Sequence, residues 1–527
     1  MQAEQAQARL IEALLDPVRY PHPVERVERI DTHISTVLLA GDFAYKIKKP
    51  LRLDFLDFSS LEKRAFFCAE EVRLNRRAAP DLYLGRVPIT GDLANPAING
   101  AGAPIEYAVQ MRRFPPGALL SELLSVSGLP LPLMDELARV IVGFHASAEV
   151  AALNTGFGLP KRVEQPVRDT LDTLSRIRGA DRGLGSLRSW ANTLMPALEP
   201  VFEARRRAGF VRECHGDMHL GNIVRWHGRI VPFDAIEFDP ELRWIDTMND
   251  LAFPLMDLDH RGACAHGHRL RNVYLEASGD YAGLQVLRFY QAYRALVRAK
   301  IAAIWSAQLP KHGERYAALE RETDDYLQLA AAYAQPTQPC VVLTCGLSGS
   351  GKTSVAQALV ESYGFVRVRS DVERKRLFGL DADAPSGSAL GEGIYQLDAN
   401  ARTYSQLLRL TQDCTESGVP VVVDATFLRY EQRAPFLTFA RERGIPAVLL
   451  RVEAPLELLR ERIRRRLEIG TDASEADLAV LEQQQLRAEW PQPEEGDLLC
   501  VNTARPDWPE RLGETFGRHR FAATPMQ

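Results

Sequence analysis

Residues 346–353 read Gly346-Leu347-Ser348-Gly349-Ser350-Gly351-Lys352-Thr353 and match the pattern GxxxxGK[ST] at every fixed position. A short apolar run at residues 341–345 precedes the stretch, and a helix-compatible run at residues 354–364 follows it. Glycines in such a loop let backbone N–H groups turn towards phosphate oxygens, and the N-terminus of the next helix adds positive charge. The pattern therefore predicts a phosphate-binding loop between a strand and a helix.

The residue types in this loop predict individual roles. The Lys352 side chain is long enough to reach the β- and γ-phosphates of a nucleotide, and the Thr353 hydroxyl can hold Mg²⁺. We expect the nucleotide to be bound by Gly346, Ser348, Gly349, Ser350, Gly351, Lys352, Thr353 and Ser354.

Two acidic residues follow apolar runs further along the chain. Residues 365–371 read as a strand that ends in Asp371, and residues 421–424 read as one that ends in Asp424. Ligands of doubly wound sheets bind beyond the carboxyl ends of the strands, so both carboxylates are expected to face the nucleotide. For Asp371 the alternative is a helix N-cap.

A predicted helix after the strand at residues 447–452 is dense in arginine. Spacings of three and four place several of its arginines on one helix face. A mobile arginine lid can neutralise a transferring phosphoryl group and exclude water, whereas the alternative is solvated surface charge. The cluster comprises Arg460, Arg462, Arg464, Arg465 and Arg466, and we assign a catalytic role to Arg462 and Arg466.

These motifs together resemble one kinase family. With GLSGSGKTS, RSDVERKRL, VVVDATF and the arginine-rich stretch before DASEADLAVLEQQ, residues 340 to about 515 resemble P-loop kinases such as polynucleotide kinase, zeta-toxin-type sugar-nucleotide kinases and gluconate or shikimate kinases. The resemblance implies an α/β P-loop domain with a mostly parallel sheet. It also implies that Asp371 is the base for a substrate hydroxyl and that Asp424 is a Walker-B-like acid near Mg²⁺.

A second motif lies in the first half of the chain, at residues 215–223, which read HGDMHLGNI. Asp217 and Asn222 keep the spacing of H-R-D-x-x-x-x-N, in which Asp accepts or orients a hydroxyl and Asn binds Mg²⁺. Gly216 stands where that motif has Arg. A β-like run then ends in Asp234, at the position of a second metal-binding acid.

The same chemistry requires a lysine on an upstream strand and a carboxylate on a helix. Lys46, within residues 43–49, fits the V-A-I-K pattern, and Lys48 on the same strand face is the second choice. Glu71, in a predicted helix over residues 60–77, is our choice for the carboxylate, with a solvated side chain as the alternative.

HGDMHLGN and FDAIEFD give residues 25–330 a resemblance to the aminoglycoside phosphotransferase and choline kinase-like family, which has the protein-kinase-like fold. The resemblance implies Asp217 as catalytic base, Asn222 and Asp234 as Mg²⁺ ligands, and Lys46 on the nucleotide phosphates. It places residues 110–114, with Met111, at the hinge that contacts adenine.

The first half departs from this family in two places. No GxGxxG loop precedes Lys46, so cover for the phosphates must come from the hairpin at residues 32–36 or be weaker. Arg294, Arg298 and Lys300 also stand in the helical part, where they favour an anionic acceptor or form a solvated helix face.

Pro336 and Pro339 mark the predicted domain boundary, because neither can continue the long helical stretch expected over residues 284–334. We therefore expect a two-lobed α+β kinase-like module over residues 1–335, followed by a P-loop domain over residues 336–527. In the module, a small β-rich lobe spans about residues 25–115 and a helical lobe spans about residues 116–334.

Composition limits the remaining functions. The 527 residues are 46% hydrophobic and carry 64 basic and 69 acidic residues, a net charge of −5, which excludes a mostly disordered chain and argues against a nucleic-acid coat protein. The seven cysteines show no CxxC pair, the N-terminal stretch has no signal-peptide pattern, and no apolar run is long enough to span a membrane. We therefore expect a cytoplasmic protein with reduced cysteines.

The combined prediction is a bifunctional kinase with two Mg·ATP sites, each of which phosphorylates a hydroxyl of a small molecule. One alternative is a catalytic P-loop kinase controlled by a regulatory, nucleotide-binding kinase-like domain. The other is a kinase of nucleic-acid 5′ ends, which the acidic bulk charge disfavours. Neither the acceptors nor the oligomeric state follows from the sequence.

Overall fold

The computed structural model describes residues 2–53, 56–126, 128–179, 182–382, 384, 394, 396–469 and 474–518. The chain divides into two compact units, each assembled from several segments. The first unit comprises Met1–Pro130, Gly143–Pro166 and Phe202–Asp257. The second comprises Leu131–Val142, Val167–Val201 and Leu258–Gln527.

The first unit contains a six-stranded sheet in which every neighbouring pair is antiparallel, in the order β1-β2-β3-β8-β6-β7. Its strands confirm the β-rich lobe predicted from sequence. The first eight strands, with β4 and β5 forming a separate pair, are β1 (Val27–Asp31), β2 (Ser35–Ala40), β3 (Phe43–Lys48), β4 (Arg52–Leu53), β5 (Leu56–Asp57), β6 (Tyr83–Gly91), β7 (Pro96–Ile98) and β8 (Pro104–Arg112).

Alternation along β3 sends its side chains to the two faces of this sheet. Tyr45 and Ile47 pack in one apolar cluster with residues of helix α1 (Gln2–Ala13). Ala44 packs on the other face, in a cluster that includes residues of helix α2 (Leu61–Asn75). Lys46 and Lys48 share the face of Ala44, so β3 directs both lysines towards α2.

The rest of the first unit consists of short elements around the HGD motif. They are helix α3 (Leu120–Val126), strands β9 (Val211–Glu213), β10 (Ile223–Trp226), β11 (Arg229–Pro232) and β12 (Trp244–Asp246), and helix α7 (Pro240–Arg243). β10 pairs with β11, and β9 pairs with β12, both antiparallel. Four helices run across the segment boundaries of the two units: α4 (Leu133–Ser147), α5 (Pro160–Arg178), α6 (Arg182–Arg207) and α8 (Thr247–His260).

The second unit contains a five-stranded parallel sheet in the order β14-β15-β13-β16-β17, as predicted for a P-loop domain. Val342, Val422 and Leu450 from its three central strands lie in one buried core cluster. The strands are β13 (Val341–Cys345), β14 (Val366–Arg369), β15 (Val421–Asp424), β16 (Ala447–Glu453) and β17 (Asp497–Asn502).

Helices surround this sheet and include three that precede the P-loop in sequence. The helices of the second unit, beyond those that cross the boundaries, are α9 (Cys264–Ser278), α10 (Leu284–Ala307), α11 (Glu314–Ala334), α12 (Lys352–Tyr363), α13 (Ser370–Leu377), α14 (Leu397–Glu416), α15 (Tyr430–Arg443), α16 (Leu456–Ile469), α17 (Leu478–Arg487) and α18 (Trp508–Arg518).

The predicted helical stretch over residues 284–334 forms two helices rather than one. α10 ends at Ala307, and α11 begins at Glu314 after a connection that contains Pro310 and Gly313. Pro310 cannot continue the helix, and Gly313 has a φ of 129°, which a helical residue does not adopt. The two helices pack along each other. Among the described residues, no helix combines the length and hydropathy needed to cross a bilayer.

Candidate active sites

Lys46 is at the centre of an ion-pair cluster in the first unit. Its Nζ lies 2.9 Å from Oε1 of Glu71 on α2 and also donates to the Asp234 carboxylate. Burial alone would lower the pKa of Lys46, but the carboxylates of Asp234 and Glu71 outweigh burial and raise that pKa well above its ordinary value. The structure thus brings together three residues that were chosen from separate sequence patterns, and it keeps Lys46 cationic.

Lys48 also pairs with the Glu71 carboxylate, from the side of the protein interior. Its Nζ donates to Glu71 Oε2 at 2.6 Å and also to the carboxylate of Glu237. The Lys48 side chain is fully buried, so of the two lysines Lys46 is the one that can face a nucleotide. Sequence reasoning did not single out Glu237, although it stands three positions after Asp234 in the FDAIEFD segment.

The HGD motif forms a compact loop around Asp217. The side-chain amide of Asn222 donates to the backbone carbonyl of Asp217 at 2.9 Å and to its Oδ2 at 3.1 Å. Gly216 has a φ of 85°, and a Cβ there would lie 2.6 Å from the carbonyl oxygen of Leu242. This close approach explains why glycine replaces the arginine of H-R-D. The Asp217 carboxylate is about one-third exposed and open to an acceptor.

The Asp250 side chain anchors the backbone of this loop through hydrogen bonds. Its two carboxylate oxygens accept the backbone N–H groups of His215 at 3.1 Å and Gly216 at 2.8 Å, and His145 Nε2 lies 3.1 Å away. Burial would raise the pKa of Asp250, but the hydrogen bond from His145 and the nearby His215 lower it to about 2. Asp250 thus orients the backbone of the loop, and two more acids of the same segment, Asp239 and Asp246, do not contact it.

The two other acids of that segment have structural partners. Asp239 caps α7 by accepting the N–H of Glu241 at 2.9 Å. Asp246 pairs with Arg205 at 2.7 and 2.8 Å. Arg243, which is close to Asp246 in sequence, pairs with Glu213 and Glu70 instead.

Asp234 adopts an unusual backbone conformation with a φ of 65°. Its N–H donates to the hydroxyl of Tyr83 at 3.1 Å, and the N–H of Ala235 donates to Asn75 Oδ1 at 2.9 Å. Burial would raise the pKa of Asp234, but the adjacent Lys46 lowers it. The carboxylate therefore stays ionised at neutral pH and is fixed beside the lysine.

The predicted hinge and hairpin both lie in the first unit. Met111 on β8 is buried, opposite Ala44 of β3, in the apolar cluster on the α2 side of the sheet. The turn between β1 and β2 is closed by the N–H of Thr32, which donates to Ser35 O at 2.9 Å, and by Lys49, which donates to Thr32 O at 2.5 Å. The contact of Met111 with adenine and the cover of the phosphates by this turn remain predictions.

The P-loop of the second unit joins β13 to α12, as the motif predicts, and Lys352 is the first residue of α12. Gly349 has a φ of 81°, and a Cβ there would lie 2.8 Å from the carbonyl oxygen of Leu459, so a larger residue would collide with the backbone of α16. Ser348 and Ser350 are buried, Thr353 is partly exposed, and Ser354 is exposed on α12.

Lys352 lies close to both predicted acids of this site. Its burial lowers its pKa to about 8, and the carboxylates of Asp424 and Asp371 oppose that shift. The Lys352 ammonium donates to the carbonyl oxygen of Leu347 at 2.8 Å, within its own loop. Asp424 ends β15 as predicted, whereas Asp371 lies in the first turn of α13, with Arg369 at the N-cap position.

The arginine helix α16 contacts the P-loop directly. Arg462 donates to Gly349 O at 3.3 Å and to the hydroxyl of Thr503 at 2.8 Å. Arg466 donates to Ala476 O at 2.5 Å, and its charge contributes to the lowered pKa of Lys352, which puts it near the lysine. Arg462 therefore supports the loop backbone, and the charge of Arg466 acts on Lys352.

Two further contacts of the second unit were not expected from the motifs. The Gln484 side chain of α17 accepts the backbone N–H of Ser348 at 2.8 Å. Helix α9 covers the edge strand β14, where Asn272 Oδ1 accepts the N–H of Arg367 at 2.7 Å. Gln484 stands in the glutamine-rich end of DASEADLAVLEQQ, but nothing in its local pattern predicts a contact with a loop 136 residues away.

The cationic residues of α10 are not a solvated helix face. Arg294 is buried and its guanidinium lies 5.5 Å from the ring centroid of Tyr293. Arg298 lies 3.6 Å from the carboxylate of Glu322, and Lys300 donates to the hydroxyl of Thr170 at 3.3 Å.

The predicted Mg²⁺ ligands have the chemistry that Mg²⁺ requires, because it prefers oxygen ligands from one or two carboxylates. In the second unit, Asp424 is buried, and its Oδ2 has no hydrogen-bond partner within the described residues, so this oxygen is available for a cation. In the first unit, Asp234 and Asn222 supply a carboxylate and an amide oxygen next to Asp217. Both sets of residues fit the metal.

Comparison with protein families supports the P-loop assignment. Residues 341–491 match the AAA domain family. Over 479 residues the chain is 29% identical to Uncharacterized protein Rv2004c of Mycobacterium tuberculosis (strain ATCC 25618 / H37Rv), an alignment that covers 89% of this chain and 92% of the relative. The similarity therefore extends across both units.

Two solved structures are similar to different parts of the chain. A choline/ethanolamine kinase family protein from Mesorhizobium loti aligns with 62% of this chain and 99% of its own, with 15% identity and a TM-score of 0.34. A sugar kinase from Janibacter sp. HTCC2649 aligns with 36% of this chain and 99% of its own, with 19% identity and a TM-score of 0.28. The predicted pair of folds, an α+β kinase-like one and an α/β P-loop one, is confirmed by the antiparallel and parallel sheets and by the family match.

Proposed function

We propose that the chain is a bifunctional ATP-dependent phosphotransferase in which each unit transfers the γ-phosphoryl group of ATP to a hydroxyl of a small molecule. One observation carries the proposal: each unit brings a lysine and two carboxylates, the residue types that phosphoryl transfer needs, to one place in its fold. The two sets are Lys46, Asp217 and Asp234 in the first unit, and Lys352, Asp371 and Asp424 in the second.

In the first unit, Lys46 neutralises charge on the nucleotide phosphates, and Glu71 holds the lysine in place. Asp217 orients the acceptor hydroxyl and takes its proton as the oxygen attacks the γ-phosphorus. The bond from the γ-phosphorus to the bridging oxygen then breaks, and ADP leaves. Asn222 fixes the Asp217 carboxylate through the 3.1 Å hydrogen bond.

In the second unit, the P-loop amides and Lys352 hold the phosphates, and Asp371 takes the proton of the second acceptor hydroxyl. Arg466 is placed to balance the charge that spreads over the transferring phosphoryl group. Arg462 keeps Gly349 and Thr503 in position around the loop.

Mg²⁺ would supply positive charge that offsets the charge of the transferring phosphoryl group at both sites. Asp234 and Asn222 would hold it in the first unit, and Thr353 and Asp424 would hold it in the second. The proposed acceptors are small hydroxyl compounds rather than nucleic acids, because the net charge of −5 offers little attraction to a phosphate backbone. None of the seven cysteines, all of which lie in described parts of the chain, is in a disulfide, which agrees with a cytoplasmic location.

A metabolite-extract screen with γ-labelled ATP tests the proposal. Wild-type protein is expected to label at least two products. Lys352→Ala should remove one set of products and Asp217→Ala the other. The double variant should label nothing, and ATP consumption that persists in it would disprove the two-site assignment.

The missing glycine-rich loop favours one alternative, a regulatory first unit. In place of that loop, the short turn closed by Thr32 and Lys49 precedes Lys46. If this turn leaves the phosphates too open for transfer, the Lys352→Ala protein will bind ATP without turnover. Labelled product from that variant would exclude the regulatory role.

A further inference from the structure

We propose that Lys48 is a positioning residue that holds Glu71 in its pairing position with Lys46 whether or not nucleotide is bound. The proposal rests on the nucleotide site assigned above to the first unit. It implies that helix α2 does not swing in and out as nucleotide comes and goes, so the module is permanently arranged to receive ATP.

Each oxygen of the Glu71 carboxylate has its own lysine. Oε1 lies 2.9 Å from Lys46 Nζ, and Oε2 lies 2.6 Å from Lys48 Nζ. When Lys46 turns towards phosphates, Glu71 therefore keeps a cationic partner. With a single lysine, that turn would leave a fully buried carboxylate without a counter-charge.

Lys48 is itself anchored on the far side. Its ammonium donates to Glu237 and lies 4.9 Å from the ring centroid of Phe58. The Lys48 and Glu71 side chains are fully buried, and that of Glu237 is nearly so. Any outward movement of α2 that separated Glu71 from Lys46 would also take a carboxylate from the buried ammonium of Lys48, which opposes that movement.

A second contact ties α2 to the same segment. Glu70, the neighbour of Glu71, accepts from Arg243 Nη2 at 3.0 Å, and Arg243 Nη1 donates to the backbone carbonyl of Glu237 at 3.1 Å. Residues 70 and 71 are thus fixed to Glu237 by one route through Arg243 and another through Lys48. Both routes lead to the segment that carries Asp234, so α2 and this segment form one rigid assembly.

Hydrogen exchange of α2 in the full chain tests the proposal. Lys352→Ala removes the second nucleotide site, and Mg²⁺ with AMP-PNP is the probe for the first. We expect the amides of residues 61–75 to exchange at the same rate with and without the probe. With Lys48→Met added, exchange of the nucleotide-free protein should rise about tenfold, because Lys46 alone then holds Glu71, and AMP-PNP should raise it further, because it draws Lys46 towards the phosphates.

The controls separate positioning from simple stabilisation. Lys63→Met removes a half-exposed lysine of the same helix and should leave exchange unchanged. If Lys48→Met does not fold, Lys48→Met with Glu237→Gln removes both buried charges and should show the same rise in α2 exchange when AMP-PNP binds. If the folded Lys48→Met variant exchanges its α2 amides at the rate of the Lys352→Ala protein, the proposal is overturned.

A wild-type α2 that gains protection when AMP-PNP binds would also overturn it. Failure of the nucleotide site itself gives a different result, namely no AMP-PNP binding to the Lys352→Ala protein. The nucleotide-free exchange rates of the Lys48 variants remain informative in that case, because they need no ligand.

Discussion

Arg367 of β14 and Glu276 of α9 form a two-pronged ion pair, with nitrogen–oxygen distances of 2.7 and 3.1 Å. Burial would lower the pKa of Arg367, but the Glu276 carboxylate outweighs it and raises that pKa. The third nitrogen contact of the guanidinium, at 3.0 Å, is Gln357 of α12. A helix that precedes the P-loop motif in sequence therefore supplies the counter-charge for a strand of the nucleotide-binding sheet.

Glu276→Gln should strongly destabilise the second unit, because it leaves the Arg367 charge buried without a carboxylate. Loss of one partner of a buried pair costs about 3–5 kcal/mol, to be measured as the free energy of unfolding in urea. Glu457→Gln is the control, because Glu457 is exposed in its pair with Arg460 and should cost at most about 1 kcal/mol. Equal losses of unfolding free energy for the two substitutions would show that the buried Arg367–Glu276 pair stabilises the protein no more than an exposed pair does.

We expect the second unit to lose stability in acid because of His268 on α9. Its Nδ1 lies 3.2 Å from the carbonyl oxygen of Glu361, and burial, with help from the charge of Arg271, lowers its pKa to about 4. An unfolded histidine takes up its proton near pH 6.5, so stability should fall as the pH drops from about 6.5 to 4, by roughly 3 kcal/mol.

His268→Gln should flatten this part of the stability profile in urea titrations at several pH values. His312→Gln, at an exposed position, should leave the profile unchanged. A wild-type profile that is flat between pH 4 and 6.5 would contradict the buried, neutral state of His268.

Asp217→Asn should stop phosphoryl transfer in the first unit but leave ATP binding intact, because Asn keeps the shape of the side chain but cannot take a proton. In a Lys352→Ala background we expect kcat to fall by about 10²–10⁴, with little change in the KM for ATP. Steady-state kinetics with an acceptor from the metabolite screen provide the measurement. A comparable fall in ATP affinity would instead assign Asp217 to nucleotide binding.

Gln484→Ala should tighten nucleotide binding at the P-loop. The Gln484 side chain occupies the N–H of Ser348, so incoming phosphates must replace that hydrogen bond. A hydrogen bond of this kind contributes about 1 kcal/mol net, so ATP affinity should rise about fivefold. Calorimetric titration in a Lys46→Ala background, which removes the phosphate-contacting lysine of the first unit, isolates this site, and Gln485→Ala, at the exposed neighbouring position, is the control. Weaker binding would show that Gln484 contacts the nucleotide.

Motif chemistry predicted the residues that act through local spacing. Asp217 and Asn222 are five positions apart and hydrogen bond to each other, and Lys46 meets Glu71 because β3 and α2 form where their patterns place them. Both folds followed from these motifs, since a strand, a loop and a helix must stand in a fixed order to bind phosphate.

Contacts between distant segments could not be predicted from a single sequence. Lys48 and Glu237 are 189 positions apart, and their pairing depends on how β3 packs against the Asp234 segment. The prolines near residue 336 indicated only a local end of a helix. The packing of α9 on β14 depends on contacts between distant side chains, which hydrophobic periodicity does not predict. The boundary at residue 335 remains a prediction.

Because α9 covers the edge strand β14, a P-loop fragment that lacks α9 should differ in solubility from one that contains it. β14 is the outermost strand of its sheet, and Asn272 occupies the N–H of Arg367 on that open side. A fragment that began at residue 336 would lose this cover and expose an unpaired strand edge with a charged Arg367. Unprotected edges recruit strands from other chains, so such a fragment should self-associate, whereas one that begins before α9 should stay dispersed.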